Sequence, residues 1–313
     1  ALRARMKRKV LPHAFKFLDW IPSLGSVGVQ VALAGLAWLE RAIPSSRELE
    51  GFIASHDPDL VLVSPLIDAA SDQVDLIKSA QARGVRTGAC IASWDNLTNK
   101  GLIRIEPDLV FVWNEIQRGE AVTFHGVTGD KVAVTGAQLF DRWFERRPSR
   151  SRRAFCAEVG LRSEKPFLLF TCSSGFISES HREVPFVRAW IAALRGSMDP
   201  NVRELSVLVR PHPYNTAAWE TADLSDLSNV AVYPRQRFNP VEEARRATYF
   251  DSLYYSAAVV GLNTSAMIEA AIVGRPVLSI VTPEFAGTQE GTLHFHYLLP
   301  ESGGCVRVAS SFD

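Results

Sequence analysis

The chain has 313 residues, enough for two ordinary domains or one large one. It is 47% hydrophobic and 22% charged, the profile of a globular protein, and its 34 basic residues are matched by 34 acidic ones. Zero net charge removes any global electrostatic case for nucleic acid or an anionic membrane, so phosphate chemistry has to come from a local site.

Basic residues run up to Lys9 and precede an apolar stretch over 27–39. Gln30 interrupts that stretch, which is also shorter than the roughly 20 residues of a spanning helix, so it predicts a buried or interface-lying helix. The first 50 residues hold no strand pattern. From residue 57 onward strands and helices alternate, as in parallel sheets covered on both faces. Residues 59–63 are a β-branched run, and 71–83 carry Val74, Ile77 and Ala80 at helical spacing before Gly84. Strands at 85–92, 109–112 and 131–135, with a helix over 115–124, complete the first domain. Residues 141–153 are rich in arginine and predict a solvated connector. Strands then follow at 167–172, 205–210, 230–233, 258–262, 277–281 and 305–308. Helices are predicted over 183–194, up to about Ser256, and over 265–273.

The expected fold class is therefore α/β, with Rossmann-like domains at 1–145 and 146–313. The first is expected to lack its first βα unit, and the starts and stops at Ala1 and Asp313 read as cuts. Cys90, Cys156, Cys172 and Cys305 are scattered, with no C-x-x-C pair or His at ligand spacing, which fits a reducing cytoplasm. A Walker loop, a G-x-G-x-x-G after a strand, a G-x-S-x-G elbow and an H-E-x-x-H are all missing from the sequence. Their absence removes the commonest α/β enzyme classes.

The most informative segment is 259–279. A strand ends near Leu262, Thr264 and Ser265 open a helix, and Glu269 lies one turn inside it, four residues from Ser265. Ligands of open α/β sheets bind outside the carboxyl ends of the strands. A helix N-terminus there offers free N–H groups to a pyrophosphate, and a carboxylate one turn in accepts both hydroxyls of a ribose. The alternative is that Thr264 or Ser265 merely caps the helix and Glu269 is a surface residue.

Arg210-Pro-His-Pro213 ends another strand. The prolines fix His212, where it and Arg210 can meet donor phosphate and stabilise a leaving diphosphate; the rival reading is a turn with a solvent-facing His. The 171–175 loop, with Ser173 and Ser174, suits a phosphate or is a plain Ser/Gly turn. His294 and His296 flank Phe295, which suits one polar and one buried face better than a metal pair. In the first domain, Trp94, Asp95 and Asn96 follow a strand. Trp94 is a candidate to stack on an acceptor and Asp95 to act as general base, or the segment is an Asx-type turn with Trp94 in the core. Asp57-Pro-Asp59 matches a metal-binding D-x-D pattern but precedes its strand, and reads as a turn.

The order of strand, glycine, small hydroxyls, helix with Glu269, Gly274-x-Pro276 and strand resembles the donor-nucleotide motif of glycosyltransferase-B enzymes. It is also similar to the matching stretch of CDP-glycerol glycerophosphotransferase-like and capsule-polysaccharide transferases, and Arg210–Pro213 resembles a segment of the same group. The likeness covers about residues 57–313. It implies two Rossmann-like domains of the glycosyltransferase-B type with an interdomain cleft. Asn263, Thr264 and Ser265 would hold the diphosphate and Glu269 the ribose, with Gln289 and Glu290 near the donor sugar. Gly136 would face the cleft beside Trp94 and Asn96 on the acceptor side, and Asp95 and His212 would be catalytic.

The implied activity is metal-independent, without a cofactor: transfer of a sugar from a nucleotide-diphosphate donor to an unidentified acceptor, with surface polysaccharide or lipid among the options. The implied location is cytoplasmic, with the inner face of the membrane as an option and no nucleic-acid partner. Three alternatives stand beside it. They are a CDP-glycerol-type glycerophosphotransferase, a nucleotide-sugar 2-epimerase, for which further acidic residues are not placed by the sequence, and a non-catalytic nucleotide-sugar-binding protein.

Overall fold

The computed structural model describes residues 25–67, 71–238 and 241–312. The basic run up to Lys9 lies outside them. The chain divides into two compact units between Gln138 and Leu139, ahead of the boundary expected at 145/146.

The first unit opens with helix α1, Gly25–Ala42, which buries none of its residues. Of the two expected settings, buried or interface-lying, burial does not hold: the stretch is apolar, yet none of its residues is buried. Helix α2, Arg47–His56, starts at Ser46, whose hydroxyl accepts the Leu49 N–H, and carries Glu48 and Glu50 in its first turn, where the dipole favours acids. It ends at Asp57, which takes a left-handed conformation at φ 44°, so the D-x-D string is a helix cap and turn.

Strand β1 (Leu60–Val63), helix α3 (Gln73–Ala82), β2 (Arg86–Cys90), β3 (Leu109–Val112), helix α4 (Glu115–His125) and β4 (Val132–Val134) follow. The strands form one parallel sheet in the order β1-β2-β3-β4. Its core holds Ile77, Ala89, Val110, Val112 and Ala121, all fully buried. These alternate or recur with the periods read from the sequence, which is why the elements were legible there.

The second unit begins with the expected solvated connector leading into a helix: no residue of 141–153 is buried, though part of the segment is itself helical. Residues Asp141–Glu145 form a helical turn. Beyond it Ser149 donates from its N–H and hydroxyl to the fully buried Asp251 carboxylate, at 2.8 and 2.6 Å, and Arg150 lies 3.3 Å from the same group. Helix α5 (Arg152–Val159) leads into β5 (Phe167–Thr171), α6 (Ser180–Gly196), β6 (Ser206–Arg210) and β7 (Val230–Val232). Then come α7 (Glu243–Tyr255), β8 (Ala258–Gly261), α8 (Ala266–Ile272), β9 (Val277–Ile280) and β10 (Val306–Ala309).

These six strands are parallel in the order β10-β9-β8-β5-β6-β7. The chain starts in the middle at β5, builds outward to β7, and returns to the other side of β5 with β8. This is the doubly wound order, and its direction reverses between β5 and β8, where such sheets bind ligands. The register fixes the geometry there. Thr171 pairs with Arg210 on one side and with Gly261 on the other, so three strand ends lie in one row. The approach is close: a Cβ on Gly261 would sit 3.0 Å from the Thr171 carbonyl oxygen. The core beneath includes Val187, Ile191, Val207, Val209, Trp219 and Leu262.

Among the described residues no single helix is long and apolar enough to cross a membrane.

Candidate active site

A cavity of about 310 Å³ opens at the carboxyl ends of β5, β6 and β8. Its wall is built from Thr171 and Cys172 after β5, Arg210 to Tyr214 after β6, and Thr264 to Ala266 with Glu269 after β8. Phe238 and the α7 residues Arg245, Arg246 and Tyr249 close it. The sheet register thus brings the Arg210–Pro213 and Thr264–Glu269 motifs, far apart in sequence, to one wall.

Arg210 is 5% exposed, and its guanidinium lies over the rings of Tyr249 at 5.0 Å and Phe238 at 5.8 Å. Its Nη1 has no hydrogen-bond partner among the described residues, and no carboxylate of theirs bridges it. Burial draws its pKa down to about 10, which still leaves it charged at neutral pH. A cation stripped of water and faced only by π clouds is half-compensated, so an anion in the cavity is the group that completes it. Arg245 and Arg246 add positive charge on the same wall, with Arg245 loosely drawn to Glu242 at 3.8 Å. A chain of zero net charge therefore carries a concentrated cationic spot.

Helix α8 has only seven residues, so its dipole is a smaller source of positive potential than the arginines. Ser265 opens it without a side-chain capping bond, which leaves its hydroxyl for the cavity; Thr264 accepts the Ala266 N–H at 3.4 Å. Glu269 is half-buried rather than a surface residue, and its Oε2 accepts the Tyr249 hydroxyl. Burial raises its pKa to about 7, against the lowering effect of the Tyr249 bond. Tyr249 itself is pushed well above its usual range, chiefly by burial and then by the neighbouring carboxylate, so it remains the donor.

His212 is also on the wall, and its Nδ1 accepts the Tyr214 N–H at 3.3 Å, which places the ring proton on Nε2. Burial lowers its pKa to about 4. It is a neutral hydrogen-bond donor at pH 7 and not a cation, so the positive charge on this wall comes from the arginines.

Several expected residues are elsewhere. Asn263 is 2% exposed and donates to the Thr288 carbonyl at 2.7 Å; it braces a loop and does not line the cavity. Gln289 is fully buried, its amide donating to the carbonyls of Leu262 and Ile280 at 3.0 and 2.9 Å, so it ties strand ends together. Glu290 is exposed, and its backbone carbonyl meets His296 Nε2 at 2.8 Å. Ser173 is fully buried and its N–H donates to Glu183 Oε1 at 2.7 Å, while the Ser174 carbonyl accepts from Ile177 and Ser178; neither lines the cavity. The loop after β5 presents Thr171 and Cys172 instead.

In the first unit, Asn96 is buried, and its Oδ1 accepts the N–H groups of Ala92 and Ser93, both at 3.0 Å, which makes it the pin of a turn. Asp95 accepts the Ser93 hydroxyl at 2.7 Å and lies 3.4 Å from Lys100 Nζ, so both its oxygens are engaged. Trp94 is half-buried. Gly136 has φ 83°, a left-handed turn conformation that explains the glycine without a ligand.

The sequence reading missed Tyr249, Phe238, Arg245 and Arg246. One signal was present: Arg245 and Tyr249 stand four residues apart on one face of the helix that feeds β8.

No family model matches the chain, and no curated protein does. Solved structures match its fold. A UDP-GlcNAc 2-epimerase from Neisseria meningitidis, bound to UDP-GlcNAc, is 17% identical with a TM-score of 0.53, over 79% of this chain and 64% of that one. Staphylococcus aureus MnaA with UDP is 16% identical at 0.51, over 79% and 63%. The UDP-GlcNAc 2-epimerase of Methanocaldococcus jannaschii is 14% identical at 0.55, over 84% and 69%. The chain thus spans just under two thirds of the first two. The shared fold is the two-unit α/β arrangement of the glycosyltransferase-B type, with a parallel sheet in each unit.

Proposed function

We propose that this protein is an enzyme of nucleotide-diphosphate sugars, that its second unit holds the nucleotide, and that its reaction is 2-epimerisation of a UDP-sugar. The observation that carries the binding reading is Arg210: a buried guanidinium at the end of β6, its Nη1 without a partner among the described residues, on one cavity wall with a half-buried carboxylate one turn inside α8. In this reading Arg210 takes a diphosphate oxygen, helped by Arg245, Arg246 and the Ser265 hydroxyl. The Nε2–H of neutral His212 donates to the same group, and Glu269, once ionised, accepts the ribose hydroxyls. The choice of reaction rests on the fold neighbours from Neisseria meningitidis and Methanocaldococcus jannaschii, which are UDP-GlcNAc 2-epimerases.

Glycosyl transfer is the second reading, supported by the resemblance of Arg210-Pro-His-Pro213 to surface-polysaccharide transferases. It uses the same nucleotide site, and CDP-glycerol transfer is its variant with another base. Calorimetric titration with UDP, CDP and GDP separates the bases. Proton NMR of a UDP-GlcNAc incubation separates the reactions: a new C2 epimer supports epimerisation, and release of UDP only when an acceptor is added supports transfer. Failure of the folded protein to bind any of the three nucleotides would sink the site itself.

A further inference from the structure

We propose that α1 lies in the interface of an anionic lipid bilayer and docks the first unit there. Between residues 25 and 39 the helix has no charged side chain. Gly28, Val29 and Ala32 are half-buried and mark its better covered side. The opposite side is no more polar. Val27, Val31, Ala34 and Trp38 follow one another at four, three and four residues, which places them on one stripe, and Val27, Val31 and Trp38 are 75%, 67% and 68% exposed. A surface helix of a water-soluble domain carries polar residues on that stripe. This one carries a tryptophan, the side chain that favours the boundary between head groups and acyl chains.

The helix is held at its C-terminal end, so the stripe has a fixed orientation on the unit. Arg104 Nη1 bonds Glu40 Oε2 at 2.9 Å, and Lys78 Nζ donates to the carbonyls of Glu40, at 2.7 Å, and Ile43. Its length argues for lying in the interface and against crossing. Eighteen residues rise about 27 Å, short of a hydrocarbon core of about 30 Å. Helix α2 follows at a bend of 59°, and the two together have the length and apolar composition of a broken span. Yet α2 carries Arg47, Glu48 and Glu50 and buries Ile53 in the first unit, so it is not available to complete one.

Charge identifies the occupant of the stripe. The residues ahead of α1 include Arg3, Arg5, Lys7, Arg8, Lys9 and Lys16, with no acid before Asp19. A second copy of this chain carries the same cations and so offers them no complementary charge. A bilayer with anionic head groups neutralises them while taking up the apolar stripe, the combination expected of interfacial amphipathic anchors.

The test is flotation of the 313-residue chain with phosphatidylcholine vesicles, with and without 30 mol% phosphatidylglycerol, at about 0.1 and 0.5 M NaCl. The expected result is co-flotation with the anionic vesicles, weakened by salt, and little with the neutral ones. Neutralising three cations in Lys7→Gln/Arg8→Gln/Lys9→Gln should weaken partition about 100-fold, at about fivefold per cation. Val31→Glu/Trp38→Glu should weaken it at least tenfold with an unchanged thermal unfolding midpoint by circular dichroism. Equal partition into both vesicles, or partition indifferent to salt and to the charge variant, would overturn the proposal. So would a lack of vesicle binding, and a concentration-dependent dimer abolished by the stripe variant would then assign the stripe to a second copy. If the stripe variant does not fold, the salt series and the charge variant decide alone.

Discussion

The Tyr249 hydroxyl donates to Glu269 Oε2 while the face of the same ring receives the Arg210 guanidinium at 5.0 Å. One side chain on α7 therefore serves a cation on β6 and a carboxylate on α8. Those two charges do not neutralise each other: no Arg210–Glu269 bridge forms within 4 Å. The cavity keeps an unpaired cation for an anion and a poised acceptor for hydroxyl donors. A direct ion pair would have cancelled both.

Nucleotide affinity should consequently depend on pH. Glu269 has its pKa raised to about 7 by burial, so below that pH it is protonated and a poor acceptor for two ribose hydroxyls. Affinity for UDP-GlcNAc, whose doubly esterified diphosphate carries no proton in this range, should rise as pH increases through about 7 and level off above it. Glu269→Gln should flatten the profile. Tyr249→Phe removes a bond that holds the pKa down, so it should move the same profile to higher pH. Calorimetric titration between pH 5.5 and 8.5 gives all three curves, and a flat wild-type curve would refute the role given to Glu269.

Arg210→Met tests the anion site. Loss of a charge-assisted hydrogen bond, worth about 1.5–3 kcal/mol, should weaken nucleotide binding by about 10- to 150-fold. Stability should not fall, because a buried cation without a partner costs desolvation that an apolar chain of similar length avoids. An unchanged or higher unfolding midpoint with weakened binding is the expected pair of results. A lower midpoint with unchanged binding would make Arg210 a structural residue.

The elements of both sheets were legible because each strand is a run of apolar residues bounded by turns, and the helices repeat at their own period. The cavity was legible where chemistry and strand ends coincide, at Arg210, His212 and Glu269. It was misread where a polar side chain serves the backbone. Asn96, Asn263 and Gln289 are amides with carbonyls or N–H groups to satisfy at buried strand ends, and a sequence does not say which way an amide turns. Tyr249 and Phe238 escaped because an aromatic residue looks the same in a core as on a binding wall. Helix α1 was read as either buried or interface-lying because an apolar run identifies a helix without identifying what covers it.

The amide misreading gives its own test. Gln289→Ala removes the amide's bonds to the Leu262 and Ile280 carbonyls, the first of which keeps only the Ser279 hydroxyl at 2.6 Å, and should destabilise the fold by about 1–3 kcal/mol, with nucleotide affinity unchanged well below the unfolding midpoint. Glu290→Ala, at an exposed position, should change stability by less than about 0.5 kcal/mol. A selective loss of UDP-GlcNAc over UDP binding in either variant would return these residues to the donor-sugar site.

A second buried carboxylate, Glu183, should govern how stability depends on pH. It is fully buried at the start of α6, accepts the Ser173 N–H at 2.7 Å, and has a pKa raised to about 7 by burial, against the lowering effect of that bond. In the unfolded chain its value returns to that of an ordinary glutamate, near 4.3. The folded state thus holds the proton more tightly. Stability is highest below the unfolded value, falls as pH rises from about 4.5 to 7, and is flat beyond. Glu269 contributes in the same direction, so the wild-type curve alone does not isolate either group. Glu183→Gln does: it retains an acceptor for the Ser173 N–H and does not ionise. Relative to wild type, the variant's unfolding free energy should improve by about 2–3 kcal/mol between pH 5 and pH 8, read from urea denaturation of the whole chain at each pH. The absolute sign at pH 5 is secondary, because the new amide hydrogens need acceptors that the protonated carboxyl did not. A difference between variant and wild type that stays constant across this range would mean that Glu183 ionises normally inside the fold, through water reaching the loop after β5.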